Sequence, residues 1–309
     1  MQNPLKIVFM GTPDFAVPSL QILVENNYNI VAVITAPDKP AGRGKQINES
    51  AIKQFAIQHH LNVLQPTNLK DSAFIKTLQN LQADLFIVVA FRMLPEIVWK
   101  MPKLGTFNLH ASLLPKYRGA APINWAVING EKETGATTFF LQHEIDTGNI
   151  ILQEKIAITD EDNAGTVHDK LMLLGADLVL KTVQAIEQNN YTLQQQDWNE
   201  NLPHAPKIFK EDGNINWQDT ATNIHNKIRG LSPYPTAYTT LLSKNLKIYK
   251  TRITKDTNIE QHYIANNIYS DGSLFLAFKT ADDFILVQEL QLEGKKRMLV
   301  QDFLRGFKF

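Results

Sequence analysis

The stretch "LKIVFMGTPDFAVPSLQILVENNYNIVAVIT", residues 5–35, decides how the chain is read. It opens on a short continuous apolar run that stops at "GTPD", the turn chemistry that ends a strand. Phe15, Val17, Leu20, Ile22 and Leu23 then recur at helical spacing. "NIVAVIT" is a second apolar run. Strand, helix, strand is a parallel unit, because a tight turn cannot return the chain to the start of a parallel neighbour.

The pattern continues outward. A polar loop runs through "APDKPAGRGKQ", residues 36–46, followed by a helix around 50–59, a strand at "LNVLQ", a helix around 70–80 and a strand at "ADLFIVVA". Unbroken apolar runs such as "IVFM" and "LFIVVA" belong to strands covered on both faces. The expectation is a doubly wound, Rossmann-like α/β domain with a mainly parallel sheet, whose functional residues stand just past strand ends. "GTFNLHA" (105–111) is the next strand, "APINWAVING" (121–130) a short helix, and "ATTFFLQ" with "NIILQEKIAI" a strand pair joined through "HEIDTG". Residues 166–188 form the longest amphipathic helix.

Beyond it, "NNYTLQQQDWNENLPHAPK" has no periodicity and reads as a linker. Short β-like runs then suggest a small antiparallel, OB-like barrel. The expected division is 1–189, a linker at 190–206, and 207–309.

Composition sets limits. Hydrophobic residues at 44 % and charged residues at 20 % are globular values, and 309 residues suit two domains. No apolar run approaches the roughly 20 residues that span a bilayer, and none forms a signal-peptide core, so a cytoplasmic protein is expected. The absence of cysteine excludes disulfides, a thiolate nucleophile and Cys-based metal sites. Residues 207–309 carry 15 Lys or Arg against 11 Asp or Glu, a small excess that suits a polyanionic partner or ordinary surface variation.

The chemistry-bearing residues lie around "FNLHASLLPKYRGAAP", residues 107–122. Asn108 and His110, two apart on a strand, share one face. They are either a pair of satisfied core groups or two groups aimed at one oxygen. Asp146, in the turn "EIDTG", is either a turn former or a carboxylate held by a scaffold. Together the three make an acyl-transfer site: an oxyanion donor, a proton-handling imidazole and a carboxylate beside it. His59 and His60 have no partner at helical ligand spacing, "MGTPDF" lacks the dinucleotide fingerprint, and "GRGK" lacks Walker spacing.

The combination of Asn108-Leu109-His110, Ser112-Leu113-Leu114-Pro115 and Asp146-Thr147-Gly148 resembles the folate-dependent formyltransferase family. "IVFMGTPDFAVPSL", "PDKPAGRGKQ", "APKIFKEDGNINW", "IHNKIRGLSPYP" and "GKKRMLVQDFLRG" extend the likeness, end to end, to the branch that acts on tRNA. Glycinamide-type members share only the first domain. The resemblance implies the formyltransferase fold and transfer of formyl from 10-formyltetrahydrofolate to the α-amine of methionine esterified to initiator tRNA. It implies Asn108, His110 and Asp146 as catalytic, Ser112, Leu113, Leu114 and Pro115 as one wall of the pterin pocket, and Lys39, Arg43 and Lys45 as tRNA-binding. No metal is required, and a monomer is expected. Lys227, Arg229 and "GKKRM" (294–298) are further candidates for backbone contact. The chain departs from the family pattern at Ala111, at Ala90-Phe91-Arg92, and at Tyr234 and Thr236, which often are Gly, Ala-Tyr-Gly, and Trp and Gly.

Overall fold

A computed structural model describes residues 4–41, 46–197, 199 and 201–309 of the chain. It divides into two units. The first comprises residues up to Gly119, Thr134–Ile156 and His168–Pro203; the second comprises Ala120–Glu133, Ala157–Val167 and His204–Phe309.

The elements in chain order are β1 (Lys6–Gly11), α1 (Val17–Glu25), β2 (Asn29–Ile34), β3 (Lys39–Ala41), β4 (Gln46–Asn48), α2 (Ala51–Gln58), β5 (Val63–Leu64), α3 (Ser72–Leu81), β6 (Leu85–Val89), α4 (Glu96–Trp99), β7 (Thr106–His110), β8 (Arg118–Gly119), α5 (Pro122–Ile128), β9 (Glu133–Phe140), β10 (Ile150–Ala157) and α6 (Ala164–Glu187). There follow β11 (His204–Ala205), α7 (Ala221–Gly230), β12 (Ala237–Leu241), β13 (Lys244–Thr254), β14 (Tyr263–Ala265), β15 (Ile268–Ser270), β16 (Leu276–Lys279), β17 (Phe284–Leu292), β18 (Met298–Leu299) and α8 (Val300–Arg305).

The main sheet of the first unit has the order β10-β9-β7-β6-β1-β2-β5. β5, β2, β1, β6 and β7 are mutually parallel, and β9 runs antiparallel to β7. Helices begin where the sequence supplies caps: the Ser50 hydroxyl accepts from the Lys53 N–H and the Asp71 carboxylate from the Phe74 N–H. On one face Val8, Met10, Ala32, Ile34, Phe86 and Val88 pack with Phe74 and Leu78 of α3 and with Leu94 and Val98. Burying each large side chain contributes about 1.5–3 kcal/mol, which is why β1 and β6 read as unbroken apolar runs. On the other face α6 comes so close to β7 that a Cβ on Gly175 would stand 2.7 Å from Leu109 Cδ2.

The chain winds from β1 out to β2 and β5, then crosses back to β6 and β7. The carboxyl ends of β1, β6 and β7 therefore border the crevice where crossovers diverge.

The segment expected as a plain loop at 36–46 contains a ribbon, with Lys39–Ala41 paired antiparallel to Gln46–Asn48. Arg43 and Lys45 lie outside the described residues. A two-stranded ribbon is held by its own ladder, so no apolar alternation announces it.

In the second unit the sheet order is β12-β13-β17-β16-β15-β14, with β18 on β17, a curled antiparallel half-barrel with β12 and β14 as its edges. α7 lays Ile224 and Ile228 against a core that includes Leu246, Ile248, Phe278 and Leu290. Trp217 stacks on Phe278 with ring centroids 4.2 Å apart, and its Nε1 donates to Thr239 Oγ1. α5 belongs to this unit: Asn124 Nδ2 donates to Gly230 O at 2.8 Å. α8 buries Val300, Phe303 and Leu304.

Candidate active site

β7 places the two polar groups. In register, Asn108 lies between Val88 of β6 and Phe139 of β9, so an amide interrupts an apolar row at the carboxyl end of a buried strand. Its side chain is partly exposed and makes no hydrogen bond among the described residues. A partnered core amide would do neither. Of the two readings left open by the sequence, this geometry favours an amide free to donate to an outside oxygen.

His110, on the same face, is 6 % exposed. Its Nε2 lies 2.8 Å from the carbonyl oxygen of Tyr117. A carbonyl only accepts, so Nε2 carries the hydrogen and Nδ1 of the neutral ring presents a lone pair. Nδ1 faces Asp146 Oδ2 at 3.8 Å. That is too long for a hydrogen bond but well inside the range where a carboxylate stabilises a charge on the ring.

Asp146 is held at both its carboxylate and its carbonyl. Its Oδ2 accepts the Gly119 N–H at 3.0 Å. Its backbone adopts φ 55°, a left-handed conformation that Asp tolerates better than most residues. Its carbonyl accepts from Gln196 Nε2 at 3.0 Å. Gly148, two residues on, lies where a Cβ would stand 1.6 Å from Phe140 O, so the turn can close on β9 only without a side chain.

The loop from Ser112 to Pro115 is fixed by Thr137. The Thr137 hydroxyl donates to Ser112 O at 2.6 Å and accepts from the Leu114 N–H at 3.2 Å and from Gln153 Nε2 at 2.8 Å. Gln153 Nε2 also donates to Leu114 O. Ser112 and Leu114 are buried, the former bonding Lys116 O and the latter packing on Phe139 and Ile150. Leu113 and Pro115 keep partial exposure. Two side chains of this loop therefore face the core, and Leu113 and Pro115 are the two that reach solvent. The Arg118 guanidinium, desolvated by burial and drawn by Asp146 and Glu144, forks onto Gln196 Oε1 at 3.0 and 2.6 Å.

Thr137, Gln153 and Gln196 were not readable as site residues. They act through hydroxyl and amide hydrogen bonds across the fold, which leave no spacing signal.

Lys39 is exposed at the start of the ribbon. Arg229, expected as a surface contact, is buried: its Nη1 donates to Thr159 O and Asp162 O at 3.1 and 3.0 Å, and its Nε to Asn226 Oδ1. This corrects the expectation. A guanidinium turned onto three internal oxygens cannot also grip a phosphate. Lys227 Nζ donates to Asn214 O, and Arg297 forks onto Glu289 while lying over the Tyr249 ring. Among the described residues no group of three or more His, Cys, Asp or Glu side chains could hold a metal ion, and no helix is long and apolar enough to cross a membrane.

Residues 5–183 match the family model described as formyl transferase, and residues 207–308 match the formyl transferase C-terminal domain. A methionyl-tRNA formyltransferase of Bacteroides thetaiotaomicron is 54 % identical over 312 residues, covering 99 % of this chain and 97 % of that protein. One of Phocaeicola vulgatus is 56 % identical over 320 residues, again covering 99 % and 97 %. Among solved structures, the sugar 3N-formyl transferase WlaRD, determined with dTDP and 5-N-formyl-THF, aligns with a TM-score of 0.68 at 24 % identity, covering 95 % of this chain and 100 % of that one. HypX from Aquifex aeolicus in complex with tetrahydrofolic acid aligns with a TM-score of 0.66 at 15 % identity, covering 99 % and 48 %. These two establish a shared fold.

Proposed function

This chain belongs to the formyl transferase family, matched along both of its domains, and we propose that it moves the formyl group of 10-formyltetrahydrofolate onto the α-amine of methionyl initiator tRNA. The observation that carries the reading is the free amide of Asn108 beside a histidine whose Nδ1 faces a carboxylate. Over half of all positions are shared along almost the whole chain with methionyl-tRNA formyltransferases, which supports the acceptor.

The folate supplies a formyl group on a nitrogen that can leave. Asn108 donates to the formyl oxygen as negative charge develops there, the interaction that counts most in acyl transfer. The acceptor amine, once joined to the formyl carbon, carries a surplus proton. His110 Nδ1 is the base that takes it, because the Tyr117 carbonyl holds the hydrogen on Nε2. Asp146 stabilises the resulting imidazolium, which returns the proton toward the folate nitrogen as the bond from that nitrogen to the formyl carbon breaks, so the folate leaves neutral and the ring is regenerated. Leu113 and Pro115 are the wall residues that can reach a pterin, and Asn108 is the group that fits the formyl end. Ser112 and Leu114 then shape that wall through the backbone they anchor.

We assign residues 1–189 to formyl transfer and 207–309 to tRNA, with Lys39, Arg43 and Lys45 following the acceptor end by salt-dependent phosphate contact. Protein synthesis begins in the cytoplasm, which is where the enzyme would work.

The test is transfer of labelled formyl to methionyl initiator tRNA, with uncharged tRNA and an amino sugar nucleotide as parallel acceptors. Product on the charged tRNA alone is expected. Product on the amino sugar alone would overturn the acceptor assignment and keep the chemistry.

A further inference from the structure

Gln196 lies in the Asn- and Gln-rich stretch whose sequence reads as a linker, yet it is 7 % exposed and uses every hydrogen-bonding position of its amide. Its Nε2 donates to Asp146 O at 3.0 Å and to Gly148 O at 2.7 Å. Its Oε1 accepts both Arg118 Nε and Arg118 Nη2. The neighbouring backbone is tied to the same unit, with Gln194 and Ile150 exchanging N–H···O bonds of 2.8 and 2.9 Å and the Tyr117 N–H donating to Pro203 O.

The two carbonyls it holds bracket the turn that carries the Asp146 carboxylate. The residue between them, Thr147, has its hydroxyl on Glu144 O, so the turn is stitched from inside as well. Asp146 stands at φ 55°, a conformation that costs free energy and persists only where surrounding contacts fix it. On the other side of the amide, Arg118 precedes Gly119, whose N–H is the donor to Asp146 Oδ2. One side chain thus holds the Asp146 turn by its backbone carbonyls and the Arg118–Gly119 segment through the Arg118 guanidinium.

From this arrangement we infer that Gln196 is a positioning residue, setting the approach of Asp146 to His110. It hydrogen-bonds neither ring nor carboxylate and acts by placing Asp146, through the turn's carbonyls and through Arg118. No other side chain of similar size substitutes: Glu keeps the acceptor for Arg118 and loses both donors, Leu or Met loses all four bonds, and Asn is one methylene too short to span the same oxygens.

The inference rests on the formyl-transfer reading, so Asp146→Asn is measured first on the full chain. If that variant transfers formyl as fast as wild type, the site reading fails, independently of Gln196. If it is slow, Gln196→Glu is compared with wild type, and the double variant with Asp146→Asn, each checked for an unchanged thermal midpoint. The expected result is a fall in kcat of about tenfold or more for Gln196→Glu, with KM for the folate within about threefold, and no further fall when the change is made on Asp146→Asn. Non-additivity of this kind identifies groups that act as a unit. Unchanged kcat for Gln196→Glu, a fall that multiplies with that of Asp146→Asn, or a variant that fails to fold would each overturn the inference, the last two because they mark a general structural role.

Discussion

His110 Nδ1 and Asp146 Oδ2 stand 3.8 Å apart, and the same carboxylate oxygen accepts the Gly119 N–H. The carboxylate is thus anchored by a backbone donor while facing a ring nitrogen that it does not directly bond. Asp146→Asn keeps an acceptor for Gly119 and tolerates the left-handed backbone, but removes the charge. We expect kcat to fall by roughly 10²-fold, within the usual range for a displaced proton-transfer system. The thermal midpoint should stay within a few degrees, and steady-state kinetics with a melting curve check both.

The Asn108 side chain makes no hydrogen bond among the described residues, so the fold does not depend on its amide. Asn108→Ala is expected to leave urea stability within about 1 kcal/mol, while turnover falls by about 10²–10³, the usual cost of losing an oxyanion donor. Loss of stability in step with activity would show a core amide instead.

Arg229 closes the loop that carries Thr159 and Asp162 in the second unit. Replacing it by Ala removes one donor each from Thr159 O, Asp162 O and Asn226 Oδ1. A destabilisation of about 2–4 kcal/mol is expected by urea titration, larger than any surface lysine would show.

His225 is pushed below its ordinary value by burial first and by Arg229 second, against the pull of Asp160 and Glu161, with Nδ1 on Thr251 Oγ1. A depressed folded-state value means that the unfolded chain takes up the proton first as pH falls. The penalty is therefore absent above about 6.5 and grows below it, until the folded form also protonates. Unfolding free energy should drop between pH 7 and 5.5 by at most about 1.4 kcal/mol per pH unit from this group. His225→Asn should flatten that part of the curve, which urea titrations across the range would reveal.

How far the sequence carried differs by element. β1 and β6 were readable because strands covered on both faces must be apolar throughout. Asn108 and His110 stood out as polar groups on one face at a strand end and Asp146 as a carboxylate in a turn between two strands, and the structure brings His110 and Asp146 face to face. What escaped has no periodic signature. Gln196 and Thr137 work through several hydrogen bonds to groups distant in the chain. α8 is only six residues long, too short for a helical pattern to emerge from its neighbours. Arg229 read as a surface cation because its carbonyl partners lie some seventy residues back along the chain. Thr236, where the family often has Gly, stands at φ 81°, a cost to a β-branched residue that no propensity scale would place there.

The central claim is that His110 takes the acceptor's proton on Nδ1 during formyl transfer. Its most direct test is single-turnover transfer of labelled formyl from 10-formyltetrahydrofolate to methionyl initiator tRNA by wild type and by His110→Gln, both saturated with the two substrates. Glutamine can still donate to the Tyr117 carbonyl but offers no comparable base. Rapid product formation by wild type, with a fall of about 10²–10⁴ in the variant at unchanged affinity for both substrates, is the predicted result. Equal rates for the two proteins, or no formylated tRNA from wild type, would contradict it.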